Sequence, residues 1–323
     1  MLERWRALPE NHNRARSTSC MTTTFGALAP VFLLIALGHL LRRRAFPGAG
    51  FFEDAERLVY WLLLPALLFQ TTASVDLASF RVLPVASALV AAVCATAAAA
   101  LLLRPLVAIG DAGFSSVVQG SVRTNTYVGL AGAGALYGSA GLEVMGIVVF
   151  VVITAVNVVA ILALARYGDA PAGERSLVRS VLRNPLILAC VVGFAANAVG
   201  LRLPAALGEV LNILARAALP LGLLCVGAGL ELVRLGQEKR AIALTLALKL
   251  LLMPALTALF CRAFAVEGLT AAAAILFNAV PISASSYVLA RQMGGDAPLM
   301  AALITWTTIA AALTMPLVLA LLT

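Results

Sequence analysis

Runs of about 20 apolar residues recur along almost the whole chain, and each is long enough to cross the hydrocarbon core of a membrane as a helix. Apolar residues make up 62% of the chain and charged residues only 12%, a balance that soluble domains do not show. We therefore predict an all-α polytopic membrane protein with about ten transmembrane helices. The predicted spans lie near residues 24–41, 58–73, 82–103, 115–137, 142–165, 184–201, 208–230, 241–261, 268–290 and 297–322.

The net charge of +8 would fit a nucleic-acid partner, but the basic residues follow the pattern of spans and loops instead. They concentrate in alternate loops, and loops rich in Lys and Arg face the cytoplasm. We therefore predict a cytoplasmic linker at 166–183, both termini on the non-cytoplasmic side, and no nucleic-acid partner. The rich loops carry Arg42, Arg43, Arg44, Arg57, Arg104, Arg166, Arg175, Arg179, Arg183, Arg234, Lys239, Arg240 and Arg291, and the others carry Arg81, Arg202 and Arg262.

The N-terminal extension, residues 1–23, disagrees with this orientation because it places four arginines on the side that should be poor in positive charge. It does not resemble a signal peptide. Either Met21 is the true start or the extension is a real basic arm, and the sequence leaves both open. The four arginines are Arg4, Arg6, Arg14 and Arg16.

Two of the spans carry polar, helix-breaking sequence at mid-depth. The fourth is interrupted at 123–127 and the ninth at 278–283, 155 residues further on. Backbone groups left unpaired by such a break are tolerated in a membrane only where protein or water satisfies them. Paired broken helices in the two halves of a membrane protein indicate the binding site of a transporter.

The two halves of the chain resemble each other when one is shifted by 155 residues, because the shift superimposes prolines and a glycine. Five spans per half is an odd number, so the second half must enter the bilayer upside down. We therefore predict two inverted five-helix repeats, residues 24–165 and 184–323, with helices 4 and 9 broken. The matching pairs are Pro30 with Pro185, Gly38 with Gly193, and Pro65 with Pro220.

The two breaks supply the candidate substrate-binding residues. A half-helix that begins after Pro281 presents unpaired amides and a positive dipole end, which suit a carboxylate, and nearby serines add hydroxyl groups. In the first break, Asn125 and Thr126 compete for backbone hydrogen bonds and open the helix. The full set is Asn125, Thr126, Tyr127, Asn278, Pro281, Ser283 and Ser285.

Arg123 and Lys249 are ionisable residues inside predicted spans, where such residues are costly and are functional candidates by default. Arg123 could bind a carboxylate bidentately, and Lys249 could attract the anion or exchange a coupling proton. The structural alternatives are snorkelling of either side chain to the interface, or an ion pair for Lys249. Both residues are therefore candidates for coupling or for attracting the anion.

Eight segments carry a resemblance to a known family, namely residues 29–38, 64–69, 123–130, 183–187, 219–221, 249–251, 279–281 and 287–290. Taken in their order and spacing, they resemble the auxin efflux carrier family, and the chain looks like a bacterial member from Phe25 to Leu322. The resemblance implies ten spans in two inverted repeats, with helices 4 and 9 crossing at the site. It implies transport of organic anions, which are auxin for plant members and dicarboxylates such as malate or malonate for some bacterial ones. It also favours a homodimer, although no span has an obvious dimer face.

Three positions depart from the family pattern and alter the expected lining of the site. Many relatives have proline where this chain has Ala131, and plant members have proline where it has Thr124 and Ser286. We therefore expect a substrate other than auxin itself.

The expected function is secondary transport of a small organic anion, a carboxylate or dicarboxylate, by alternating access across the inner membrane. Uniport or coupling to protons is favoured because no acidic residue lies at either break. The chain lacks a P-loop, a paired-aspartate motif and a His-Glu-x-x-His motif, so we expect neither an enzyme nor a cofactor. A sodium-coupled symporter or sodium/proton exchanger of the same architecture, and a membrane ligand sensor that transports nothing, stay open as alternatives.

Overall fold

The computed structural model describes residues 10–74, 81–169, 183–201, 203–231 and 238–323, with side chains from Thr24 onward. Every long regular element in these ranges is a helix, and they contain no strand. The helices are α1 (Glu10–Arg43), α2 (Phe51–Leu58), α3 (Leu64–Ser74), α4 (Val82–Leu102), α5 (Asp111–Val122), α6 (Thr126–Tyr167), α7 (Pro185–Ala198), α8 (Ala205–Ala228), α9 (Lys239–Ala247), α10 (Met253–Ala263), α11 (Gly268–Ala279), α12 (Ser285–Gln292) and α13 (Ala297–Leu322).

Among the described residues, six helical segments are long and apolar enough to cross a membrane, and two shorter apolar helices accompany them. Large apolar side chains such as Leu33, Leu83 and Leu102 are more than 60% exposed, which suits contact with lipid and not with water. These features support a multi-pass membrane protein. The six segments are Thr24–Arg43, Val82–Leu102, Asp111–Tyr167, Ala205–Ala228, Lys239–Ala263 and Ala297–Leu322.

Each of the ten predicted spans contains helix in the structure, but the count of ten spans and the inverted repeats stay predictions. The 57-residue segment Asp111–Tyr167 holds two of the predicted spans. It is interrupted after α5, and α6 turns sharply at Gly138, whose φ of 62° is accessible to glycine at little cost. Helix α1 begins at Glu10, well before the predicted span at 24.

The two connections outside the predicted repeats lie partly beyond what the structure describes. Residues 1–9 of the N-terminal extension, and the side chains of 10–23, are outside the described residues. Residues 170–182 of the predicted cytoplasmic linker are outside them as well. The boundaries predicted for the extension, the linker and the two repeats therefore stay predictions.

The helices pack in two groups. The first group consists of α1, α2, α3, α7 and α8, and the second consists of α4, α5, α6 and α9 to α13. In the first group α1 and α8 meet backbone to backbone, because Gly38 lies against the carbonyl of Leu224 and Gly227 lies against the carbonyl of Ile35. Contacts between the groups are made mainly by α1, α3, α6 and α13.

Two helices contain a widened π turn, Val59–Leu63 between α2 and α3 and Leu248–Leu252 between α9 and α10. In each case a proline, Pro65 or Pro254, is the second residue of the helix that follows. Proline lacks an N–H group and its ring crowds the carbonyl one turn earlier, and a π turn accommodates both effects. Such turns are frequent at functional sites, and the side chains of these two turns reach the site described next.

Candidate substrate site

The chain leaves the helical conformation in both predicted breaks, and the two breaks contact each other. Helix α5 ends at Val122, the next three residues are not helical, and α6 begins at Thr126. Helix α11 ends at Ala279, and a non-helical stretch precedes α12. The main-chain N–H of Asn125 donates a hydrogen bond of 2.9 Å to the carbonyl oxygen of Pro281. Two segments 156 residues apart in sequence therefore form one structural unit.

Other polar groups that the breaks expose also find partners within the protein. The Asn125 side chain accepts a hydrogen bond of 3.3 Å from the N–H of Val128 and so caps α6. The N–H of Ile282 donates to the hydroxyl of Thr307 in α13 at 3.3 Å. Partners of this kind are what a membrane protein needs where its helices are interrupted at depth.

Lys249 lies in the second π turn and contacts the end of the broken helix α11. Its Nζ donates a hydrogen bond of 3.1 Å to the main-chain carbonyl of Asn278, and the side chain is fully buried. The Asn278 side chain in turn donates to Thr257 Oγ1 at 2.8 Å. Lys249 therefore satisfies a carbonyl at the C-terminal end of α11, and in its ammonium form it also complements the negative end of that helix dipole.

A cavity lies beside the two breaks, between the two groups of helices. Its volume is about 50 Å³, and because a single water needs roughly 10–15 Å³ of such space, only a small ligand fits this conformation. The first group lines it with Glu56, Tyr60, Leu64, Asn184 and Leu186, and the second with Arg123, Thr124, Thr126, Tyr127, Ile153, Val156, Asn157, Ser283 and Ser285.

Arg123 is the cationic side chain of this cavity and follows directly after the end of α5. Its guanidinium donates to Gln119 Oε1 at 3.3 Å, to Asn157 Oδ1 at 3.1 Å and to Ser285 Oγ at 3.4 Å. All of these acceptors are neutral. Three ion pairs occur among the described residues, and none of them includes Arg123. The guanidinium is therefore held in place by neutral groups and retains its charge for an anion.

Some of the predicted site residues line the cavity, and the others do not. Arg123, Thr126, Tyr127, Ser283 and Ser285 line the cavity. The remaining predicted residues build the breaks instead. These are Asn125 and Pro281, which join the two breaks, and Asn278 and Lys249, which contact each other at the end of α11.

Five polar residues of the cavity were not among the predicted site residues, namely Glu56, Tyr60, Thr124, Asn157 and Asn184. Tyr60 lies in the first π turn. Asn184 caps α7 by accepting a hydrogen bond of 2.9 Å from the N–H of Leu186. In the sequence, Asn157 is an asparagine in the middle of an apolar predicted span. Such a residue usually forms a hydrogen bond between helices, so it did not indicate a substrate site.

Three buried polar groups that have no partner in the described ranges belong to residues in the breaks or within one turn of them. Gln119 Nε2, Thr124 Oγ1 and Ser286 Oγ are buried and have no hydrogen-bond partner within the described part of the chain. Each of these groups can donate a hydrogen bond. A buried donor without a partner costs free energy, so each of these three groups would be stabilised by an acceptor brought close to it.

Two acidic residues of α2 have opposite environments. Glu53 is exposed, and its hydrogen bond to Arg42 lowers the pKa of its carboxyl group. Glu56 lies one turn later, two residues before the predicted span 58–73, and lines the cavity. Burial, and to a lesser extent the charge of Glu53, raise the pKa of Glu56.

Residues 172–319 of the chain match the family model described as membrane transport protein. The matched stretch is a little under half of the chain and includes Lys249 and the second break. None of the curated proteins matches the chain. Residues 172–319 are therefore similar to the membrane transport protein family, in agreement with the resemblance to the auxin efflux carriers noted in the sequence.

Proposed function

We propose that this protein is a secondary transporter that moves a small organic anion across the membrane by alternating access. The observation that carries the proposal is Arg123, a cationic side chain that lines a cavity between two groups of helices and contacts only neutral acceptors there. A guanidinium in that position is suited to bind a carboxylate through two parallel hydrogen bonds.

The helix ends at the breaks add to this preference for an anion. Helices α6 and α12 both begin at the breaks, and their first residues, Thr126 and Ser285, line the cavity. The first turn of a helix carries unpaired N–H groups and the positive end of the dipole. The opposite ends at the breaks, those of α5 and α11, are next to Arg123 and Lys249. The negative dipole ends therefore lie next to basic side chains, and the positive ends lie at the cavity, where their dipoles favour an anion.

The position of the cavity supports alternating access. The breaks with Arg123 belong to the second group, whereas Glu56 and Tyr60 belong to the first. Movement of one group relative to the other would open and close the cavity without rebuilding either group. Glu56 lies in the second turn of α2, just before the predicted span 58–73, and Asn184 caps the beginning of α7. The positive-inside rule assigns both ends to the cytoplasm. In the predicted orientation, the cavity of this conformation would lie on the cytoplasmic side of the breaks.

The driving force would be a gradient of the substrate or of protons. Carboxylates that line the cavity are the natural carriers of a coupling proton, and Glu56 is such a carboxylate.

The direct test is exchange of a labelled anion in proteoliposomes, with acetate, malonate, malate and indole-3-acetate as candidates. We expect at least one of them to exchange, and we expect Arg123→Gln to abolish that exchange. Arg216→Gln is the matched control, because Arg216 is exposed on α8 and contacts Asn212 outside the cavity. Anion binding by the folded protein without exchange would contradict transport and favour a ligand sensor. Equal exchange by the two variants would contradict the site.

A further inference from the structure

Two side chains of opposite charge line the cavity from different groups of helices. Arg123 belongs to the second group and Glu56 to the first. They do not pair with each other, since none of the ion pairs found within the described ranges includes either residue. Glu56 is half-buried in the cavity wall, whereas Glu53, one turn earlier on the same helix, is exposed and paired with Arg42.

From this arrangement we infer that Glu56 selects the charge of the substrate. The cavity accepts a ligand with one carboxylate, held at Arg123, and with a hydrogen-bond donor at its other end that faces Glu56. A second carboxylate at that end is disfavoured. The inference rests on the proposed function, because it concerns the same cavity and the same carboxylate site.

The physical reason is the interaction between like charges in a small, partly buried space. A dianion in a cavity of about 50 Å³ that already contains the Glu56 carboxylate would place two negative charges close together. Electrostatic repulsion between two like charges at close range weakens binding enough to exclude a ligand that carries the second charge. A hydroxyl, amide or ammonium group in the same place would instead donate a hydrogen bond to the carboxylate.

The charged and titratable groups around Glu56 do not cancel its charge. Tyr60 follows it in the π turn after α2, Arg123 and Tyr127 line the same cavity from the second group, and Cys225 approaches from α8. Glu53 adds a further negative charge. Arg123 is the cation in this set, and in the proposed function it is engaged by the substrate.

The test compares ligands of nearly equal shape and different charge. Malonate and its monoamide, malonamate, differ in one group, since the amide replaces a carboxylate and supplies an N–H donor. Succinate and succinamate form a second pair. Affinities for all four are measured by calorimetry on the purified wild-type protein and on Glu56→Gln, with Glu53→Gln as the matched control on the same helix. Glu56→Leu replaces Glu56→Gln if the latter does not purify in a folded state.

We expect the wild-type protein and Glu53→Gln to prefer the monoamide of at least one pair, and Glu56→Gln to shift that preference toward the diacid by about tenfold or more. An unchanged preference in Glu56→Gln would overturn the inference and leave the transport proposal intact. A variant that loses binding of both members of each pair would also overturn it, because Glu56 would then be needed for binding itself. If none of the four ligands binds to the wild-type protein, the inference fails, and exchange of acetate, malate and indole-3-acetate then decides the proposed function independently.

Discussion

The N–H of Asn125 donates a hydrogen bond of 2.9 Å to the carbonyl oxygen of Pro281 and so connects the two interrupted helices. The bond joins extended backbone in the first half of the chain to extended backbone in the second. It satisfies one donor and one acceptor that continuous helices would have paired internally. The breaks are therefore a single unit, and a change in one of them is expected to alter the geometry of the other.

Replacement of Pro281 by alanine should impair transport without preventing membrane insertion. Alanine restores the missing N–H group and permits the helix to continue, so the break is no longer enforced by sequence. A small displacement of positioning groups is costly, and we expect exchange in proteoliposomes to fall by about tenfold or more. Pro316→Ala is the control, because Pro316 lies inside α13 and does not line the cavity. Wild-type exchange by Pro281→Ala would remove this proline from the mechanism.

Replacement of Lys249 by methionine should lower both stability and anion affinity. The substitution leaves the carbonyl of Asn278 without its donor, a loss of about 1–3 kcal/mol, and removes a basic group from the end of α11. Thermal unfolding in detergent measures the first effect, and ligand titration measures the second. Lys249→Gln retains a donor and should recover part of both. Lowered stability with unchanged anion affinity in Lys249→Met would assign Lys249 a purely structural role, and unchanged values of both would contradict either role. Lys239→Met is the exposed control.

Asn157 should act by orienting Arg123. Its Oδ1 accepts a hydrogen bond of 3.1 Å from the guanidinium, so Asn157→Ala removes one of three contacts that hold that group. A hydrogen bond of this kind contributes about 1 kcal/mol, and we expect the anion Kd to rise by about fivefold with little effect on folding. Asn212→Ala is the control, since Asn212 contacts the exposed Arg216. No change in Kd would show that Gln119 and Ser285 suffice to orient the guanidinium.

The close approach of α1 and α8 predicts a difference between two glycines of the same helix. A Cβ atom on Gly38 would collide with the backbone of Leu224, whereas a Cβ atom on Gly26 would meet no atom within 4 Å. Gly38→Ala should therefore destabilise the protein by about 1–3 kcal/mol through forced separation of the helices. Gly26→Ala should be close to neutral. Equal unfolding temperatures for the two variants would contradict the observed packing of the first group.

The environment of Glu56 predicts a pH dependence of ligand choice. Burial raises the pKa of Glu56, so this group takes up a proton at a higher pH than an exposed glutamate does. Protonation removes the charge that disfavours a diacid, and the preference for malonamate over malonate should therefore decrease as the pH falls. Titration of the ligands themselves is common to the wild type and Glu56→Gln, so the difference between the two pH profiles isolates Glu56. Coincident profiles would exclude this role.

The positions of the breaks were predictable because their causes are local. Pro281 cannot donate a backbone hydrogen bond, and Asn125 can cap the helix that follows it. Both effects depend on residues within one turn, and the structure leaves the helical conformation at both places. The contact between the breaks could be expected only from the resemblance to a family, because no local property of either segment specifies the other.

The lining of the cavity could not be predicted to the same extent. Glu56 precedes its predicted span and resembles any acidic residue at a membrane interface, and Asn157 resembles an ordinary contact between helices. Asn157 contacts a residue 34 positions away, and Lys249 contacts one 29 positions away. Such contacts depend on the rotation of each helix about its axis and on the widened π turns. The hydropathy of the sequence predicts neither the rotation nor the π turns.

Sequence alone therefore determined that this protein is helical, that it is embedded in a membrane and that two of its helices are interrupted. The reason is that hydropathy and proline have their effects on residues close to them in the sequence. Tertiary structure decided which charges share a cavity. It placed Arg123 and Glu56 on the same cavity from different groups of helices, and it directed Lys249 to the end of α11. The physical reason is that a side chain's partners are set by how whole helices pack and rotate, and packing joins residues that are far apart along the chain.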